Sequence, residues 1–332
     1  MRALLARVYA ELPPIFGTAR PVYVASGAAT GMMESAIRCG ARERVLALVS
    51  GAFGERFARI AESCGRSVTR VVALPGETVS ADALADALEH GSYDAVTAVH
   101  VETTTGVMAD IASYGRTVAR HGDVVLLVDA VSSVGGIEVA MDAVGADIVL
   151  AASQKALALP PGLSFIACSE RAMTRAHALP DRGVYLDVVR MDEYWRQGET
   201  AGTPAIPQLY ALDAQLAAIA REGLPARYER HRTMAAVVER WVRERAARGR
   251  GGVRVGILAR AGMRAATVSC LTIDADAPRL AHLLRERGYE VGAGYGALAA
   301  STVRIGHMGD HTVREVRALL GAMDDALEAL AS

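Results

Sequence analysis

Between residues 22 and 168 the chain alternates short apolar runs with segments of helical period, and this alternation limits the possible fold more than any other feature. The runs fall at 22–25, 45–49, 68–73, 95–101, 124–129, 148–151 and 164–168. Helical patterns fill the spaces at 31–39, 53–64, 81–90 and 111–121, with another at 171–176. Most of the runs are apolar throughout, without polar alternation, which is the pattern of strands buried on both faces. The expected fold class is α/β: a mostly parallel sheet covered by helices on both faces, with ligands bound outside the carboxyl ends of the strands. The first domain is expected over 1–222, closing with a helix at 206–221. A long helix at 224–248 and a Gly/Arg break at 248–252 follow. The rest reads strand 266–273, helix 277–287, strand 303–305 and helix 313–330, which gives a small C-terminal α/β domain over 223–332. The opening residues, MRALLARVYAEL, read as an amphipathic helix without the apolar stretch or cleavage site of a signal peptide.

Composition removes several classes of function. With 36 basic and 37 acidic residues the formal net charge is −1, so no large basic field exists to hold nucleic acid. No apolar run approaches the roughly 18 residues of a membrane span. The four cysteines are widely spaced and form no CxxC pair, which argues against a disulfide scaffold or zinc module and for a reducing, cytoplasmic setting. No metal site is expected.

The basic residues comprise 35 Arg and a single lysine, Lys155. Arginine replaces lysine easily on a surface, but it cannot lose its proton and attack a carbonyl as a neutral amine. A lone lysine is therefore a candidate for Schiff-base or proton-transfer chemistry, or a survivor of drift. Its context favours chemistry. Lys155 follows the apolar run 148–151 and precedes the turn Pro160–Pro161–Gly162 and a second apolar run. A lysine between two core strands is partly desolvated, and its pKa falls toward the neutral amine.

Other chemistry-bearing residues stand at the ends of neighbouring runs. Asp129 closes VVLLVD, as a counter-ion for a protonated ring nitrogen or as a turn residue. SGAATG (26–31) joins a strand to a helix, as a phosphate cup or a plain turn. HVETTTG (100–106) supplies hydroxyls for a ligand or for turn formation. Phe53, one of 4 Phe, lies between two glycines, as a ring stacker or a core residue. Arg304, inside an apolar run, needs a partner, either a substrate carboxylate or an internal acid. His307 beside it is a ligand or a structural histidine. Together, lysine, acid, small-residue turn, aromatic and arginine are the parts of a pyridoxal phosphate site.

The sequence resembles the class V aminotransferases, specifically the alanine/serine–glyoxylate (serine–pyruvate) group. The resemblance is carried by SGAATGMMES (26–35), SGAFGERFARIAESCG (50–65), HVETTTGV (100–107), VDAVSSVGG (128–136), SQKALALPPG (153–162), GTPAIPQLYAL (202–212), EGLPARYERH (222–231) and GYGALAASTVRIGHMGD (294–310). These segments run in family order over almost the whole chain. The resemblance implies a fold-type I pyridoxal 5'-phosphate enzyme, a homodimer with its site at the subunit interface. It implies that Lys155 bonds the cofactor and moves the substrate proton, and that Asp129 pairs with the pyridine nitrogen. Val131 would pack on the ring, Phe53 stack on it, and Thr103 lie near the 3′-oxygen and the substrate. Ala28, Ala29, Thr30 and Gln154 match phosphate-cup positions. Thr203 matches a residue reaching the partner subunit's phosphate, and Arg304 one that binds the substrate α-carboxylate.

The chain departs from the family pattern in three places. Ala28–Ala29 replaces a usual Ser-Gly or Thr-Gly, which implies weaker cofactor binding. Family members usually begin several tens of residues earlier with a Pro-Gly-Pro segment, which implies either a misassigned start or a naturally short protein with a more open site. Thr200 stands where relatives often carry an aromatic or long polar residue. The implied reaction is ping-pong transfer of an amino group from alanine or serine to a 2-oxo acid such as glyoxylate or pyruvate. HVETTTG also resembles 2-aminoethylphosphonate–pyruvate aminotransferases, which gives a second reading. A third is a weakened, non-enzymatic binding homologue.

Overall fold

The computed structural model describes residues 1–248 and 252–331; residues 249–251, within the expected Gly/Arg break, lie outside the described residues. The chain opens with α1 (Arg2–Phe16), β1 (Val22–Ser26), α2 (Ala29–Gly40), β2 (Arg44–Val49), α3 (Ala52–Ser63), β3 (Ser67–Val72), α4 (Ala81–His90) and β4 (Ala95–Val99). A hairpin of β5 (Val101–Glu102) and β6 (Val107–Met108) follows, then α5 (Ile111–Val118), β7 (Val125–Asp129), α6 (Met141–Val144), β8 (Ile148–Ala152) and β9 (Leu163–Cys168). After α7 (Glu170–Ala178) and α8 (Val188–Arg196) come the long helices α9 (Ile206–Glu222) and α10 (Leu224–Arg248). The chain ends with β10 (Val255–Ile257), β11 (Val268–Ile273), α11 (Ala277–Glu286), β12 (Gly292–Ala293), β13 (Thr302–Gly306) and α12 (Val313–Ala331).

The larger sheet has the order β1-β9-β8-β7-β4-β2-β3, and only β9 runs against its neighbours. Every residue of β4, β7, β8 and β9 is buried, as their unbroken apolar runs require. Side chains alternate between two cores. Leu126 and Val128 face a core shared with α1, α4, α5 and α9, while Val125 and Leu127 face one shared with α2, α3, α7 and α8. Each such side chain contributes roughly 1.5–3 kcal/mol on burial.

The smaller sheet, β10-β11-β13-β12, is antiparallel and buries one face against α10, α11 and α12. The β5–β6 hairpin joins it to the larger sheet. Gly106 at its turn has φ +74°, and a Cβ there would lie 2.9 Å from the Cys270 amide, so only glycine allows the approach. Among the described residues no helix is long and apolar enough to cross a membrane.

Two boundary expectations are corrected. The run at 95–101 is not one strand: β4 ends at Val99, level with the end of β7 at Asp129, and the His100 amide donates to the Asp129 carbonyl at 2.9 Å as the chain leaves the sheet. The helix expected at 111–121 stops at Val118, where i→i−3 bonds to Thr117 and Val118 lead into Gly122 at φ +61°.

Candidate active site

Because β1, β8, β7, β4 and β2 point the same way, the loops after them meet at one edge of the sheet. A cavity of about 290 Å³ opens there, close to the lower end of the range of small-ligand pockets. Of the cofactor and substrate residues expected from the sequence, all line it except Thr203 and Arg304; Thr200 and His307 also lie off its wall.

Lys155 sits where β8 turns back into β9. Ser153 fixes that turn: its amide donates to the Leu163 carbonyl at 3.0 Å and its hydroxyl to the Pro160 carbonyl at 2.8 Å. The lysine is half-buried, not a surface lysine with its head in water. Burial depresses its pKa, the Arg304 charge depresses it further, and Asp129 and Glu102 oppose the shift.

Asp129 is 4% exposed at the end of β7. Its Oδ1 accepts the Val131 N–H at 2.8 Å. Burial pushes its pKa up to about 7, and the Glu102 charge adds to the rise. A buried carboxylate that lines a cavity and has no ion-pair partner within 4.0 Å among the described residues suits a protonated heterocyclic nitrogen.

Ala28 opens α2 with φ −89°, ψ 155° and no side-chain cap, so the first amides of that helix meet the cavity beside Thr30 and Gln154. Such an end suits a phosphate, as SGAATG anticipates. Thr103 Oγ1 and Ser132 Oγ lie 2.6 Å apart on the cavity wall, and the Ser132 carbonyl accepts the Thr267 hydroxyl at 2.7 Å. The buried acid, the desolvated lysine, the uncapped helix end and the cavity volume fit pyridoxal phosphate.

Phe53 is half-buried, packs on the edge of the core shared with α2 and α3, and lines the cavity. The first turn of α3, which carries Phe53, is held from behind by Glu102. That carboxylate, fully buried, accepts the Phe53 and Gly54 amides at 3.0 and 3.1 Å and the Thr104 hydroxyl at 2.6 Å. Gly51 makes room for it, since a Cβ there would lie 2.5 Å from Glu102 Cγ.

Arg304 lies on β13, and its Nε donates to the Ala293 carbonyl at 2.9 Å. No internal acid pairs with it among the described residues, contrary to that alternative. Thr203 is exposed, away from the cavity wall, and its carbonyl accepts the Ser26 hydroxyl at 3.3 Å. His307 is buried with Nε2 2.9 Å from Ser269 Oγ, a structural placement. Sequence reasoning missed three residues of the site region: Arg56, Ser132 and Glu102. Each stood inside a motif already singled out, but each acts through a partner distant in sequence.

This topology and this set of side chains define an α/β transferase of pyridoxal phosphate fold type I. The chain belongs to the aminotransferase class-V family, whose model matches residues 34–319. It is 31% identical to an uncharacterised aminotransferase of Methanocaldococcus jannaschii, over 98% of this chain and 85% of the relative. It is 31% identical to the L-aspartate–glyoxylate aminotransferase of Paracoccus denitrificans, over 89% of this chain and 75% of that one. The crystal structure of an alanine–glyoxylate aminotransferase from Nostoc sp. superimposes with a TM-score of 0.90 at 30% identity, covering 98% of this chain and 87% of that one. The chain is accordingly an aminotransferase; the family implies pyridoxal phosphate as cofactor, with an amino acid and a 2-oxo acid as substrates.

Proposed function

We propose that this enzyme moves the amino group of alanine or serine to glyoxylate or pyruvate by a ping-pong reaction, with Lys155 as the proton carrier. The observation that carries the reading is the meeting, at one cavity, of a lysine depressed toward its neutral form and a buried carboxylate with no ion pair within 4.0 Å among the described residues. Relatives named for alanine–glyoxylate and L-aspartate–glyoxylate transfer support glyoxylate as the acceptor.

Asp129 holds a proton on the cofactor's pyridine nitrogen. The amides opening α2, with Thr30 and Gln154, hold its phosphate, and Phe53, Val131 and Thr103 bound its ring. Bound pyridoxal phosphate supplies an electron sink for the charge left when Cα loses its proton. Lys155, as a neutral amine, takes the Cα proton of the donor and delivers it within the same site. Arg304 holds the carboxylate of each substrate in turn. A functional division at Gly223, between α9 and α10, goes with this reading.

A homodimer also belongs to it. Val184, Tyr185, Ile206 and Tyr210 are exposed apolar residues around the segment that carries Thr203. Such a patch supports a protein contact, with Thr203 reaching the partner's site.

The test is the absorption spectrum of the purified protein with pyridoxal phosphate, before and after L-alanine or L-serine, alongside Lys155→Ala. A cofactor band that depends on Lys155 and shifts with donor supports the reading. Absence of any Lys155-dependent band overturns it.

A further inference from the structure

Arg56 stands three residues after Phe53 on α3 and lines the cavity that contains Lys155. Its guanidinium carbon lies 4.7 Å from the Phe53 ring centroid, and Nη2 donates to the Tyr295 hydroxyl at 3.5 Å. Tyr295, from the smaller sheet's side, packs on Phe53 with ring centroids 6.5 Å apart. The head of Arg56 is thus held between an aromatic face and a hydroxyl.

The surrounding arginines have acids. Arg59 and Arg70 pair with Glu55, and Arg70 also with Glu62. Arg56 has none within 4.0 Å among the described residues, and Glu55, its sequence neighbour, is already engaged. The cavity adjoins a cleft of about 490 Å³ that shares Thr30 and Arg56 and includes Tyr295. Arg304, whose charge acts on Lys155, also lacks an acid among the described residues. The larger unit and the smaller sheet therefore each supply one uncompensated guanidinium near the lysine. A monocarboxylate occupies only one of them.

We propose that Arg56 binds the distal carboxylate of a dicarboxylic amino donor such as L-aspartate, while Arg304 holds its α-carboxylate. The proposal rests on the aminotransferase reading above and changes its preferred donor from a monocarboxylic to a dicarboxylic amino acid. The amino group of L-aspartate is replaced by an oxo oxygen, giving oxaloacetate. The oxo group of glyoxylate is replaced by that amino group, giving glycine, and no external oxidant or reductant enters.

The experiment measures the half-reaction of the cofactor-loaded enzyme with L-aspartate and with L-alanine, in the wild type, Arg56→Gln and Arg56→Lys. Succinate and acetate are titrated into the same proteins by calorimetry, and pyridoxal phosphate affinity is measured for each. Arg56→Gln is expected to lower the aspartate-to-alanine ratio of kcat/KM about 10- to 100-fold, the worth of a charge-assisted hydrogen bond. Arg56→Lys restores part of it, and succinate affinity falls by a similar factor while acetate affinity does not. Parallel loss on both donors with unchanged succinate binding overturns the proposal. A raised cofactor dissociation constant with an unchanged ratio also overturns it and assigns Arg56 to the cofactor. A wild type that converts alanine but not aspartate overturns it while leaving the aminotransferase reading intact. Conversion of neither donor overturns both.

Discussion

The carboxylate of Glu102 accepts the backbone N–H of Phe53 at 3.0 Å, joining the end of one sheet strand to the first turn of a helix that follows another. The aromatic wall of the cavity is therefore set by an acid that does not line it. Glu102→Ala leaves the Phe53 and Gly54 amides without their acceptor. Stability is expected to fall by about 1–3 kcal/mol in urea unfolding, with weaker pyridoxal phosphate binding. Glu102→Gln keeps one acceptor oxygen and is expected to fall between alanine and wild type in both measurements.

Asp129 gives a pH-dependent prediction for the cofactor-free protein. Its folded pKa is raised from 3.8 to about 7, so its protonated form is favoured by folding. The associated stability is present below about pH 4 and is lost as pH rises through 7. Asp129→Asn removes a charge that burial disfavours. Its melting temperature should exceed wild type at pH 8, by the equivalent of up to about 4 kcal/mol, and match it near pH 4. Transaminase activity should fall in the same variant, because asparagine cannot hold the ring proton.

Three buried histidines predict sensitivity to acid. Burial lowers His100, His231 and His307 to about 4. Folded values below the ordinary 6.5 contribute stability above that pH, and it is lost as pH falls toward 4. The Gly309 amide donates to His231 Nε2 at 3.1 Å, which places the proton on Nδ1, 2.7 Å from the Arg227 carbonyl. The urea midpoint should drop between pH 6.5 and 4, and His231→Gln should flatten part of that slope.

Arg304→Gln should raise KM for both the amino donor and the oxo acid by about 10- to 100-fold, since each loses a charge-assisted partner. Steady-state kinetics with each substrate varied in turn checks this. A rise confined to one substrate would assign Arg304 to a single half-reaction.

Lys155→Arg keeps a positive charge but not a neutral amine. Loss of proton transfer alone is expected to lower turnover about 10²–10⁴-fold, and loss of the covalent role lowers it further. Single-turnover amination by L-alanine measures it. Turnover close to wild type would exclude Lys155 as the proton carrier.

The larger sheet was legible because its strands carry unbroken apolar runs that only a doubly covered sheet can bury. The short strands β10 and β12 were not. Their residues are partly exposed and draw their order from β11 and β13, not from their own composition. Helix α8 also went unseen, because VVRMDEYWR buries Asp192 beside its apolar residues, with the Tyr23 hydroxyl as hydrogen-bond donor. At the site, Lys155 and Asp129 stood out through chemistry that their residue types alone permit. Phe53 proved to be both core edge and cavity wall, and Arg304 has no acid partner among the described residues. Arg56 was hidden by abundance. One arginine among 35 carries no signal until the structure shows which acids are already taken.

Lys155 sits half-buried in the turn between β8 and β9, and every other basic side chain of the arginine and lysine class is an arginine. An amine-acylating reagent therefore finds one side-chain target in each chain, besides the α-amino group. The mass of the intact protein then counts free lysines directly, so occupancy of the cavity becomes a stoichiometry read from a single labelling event.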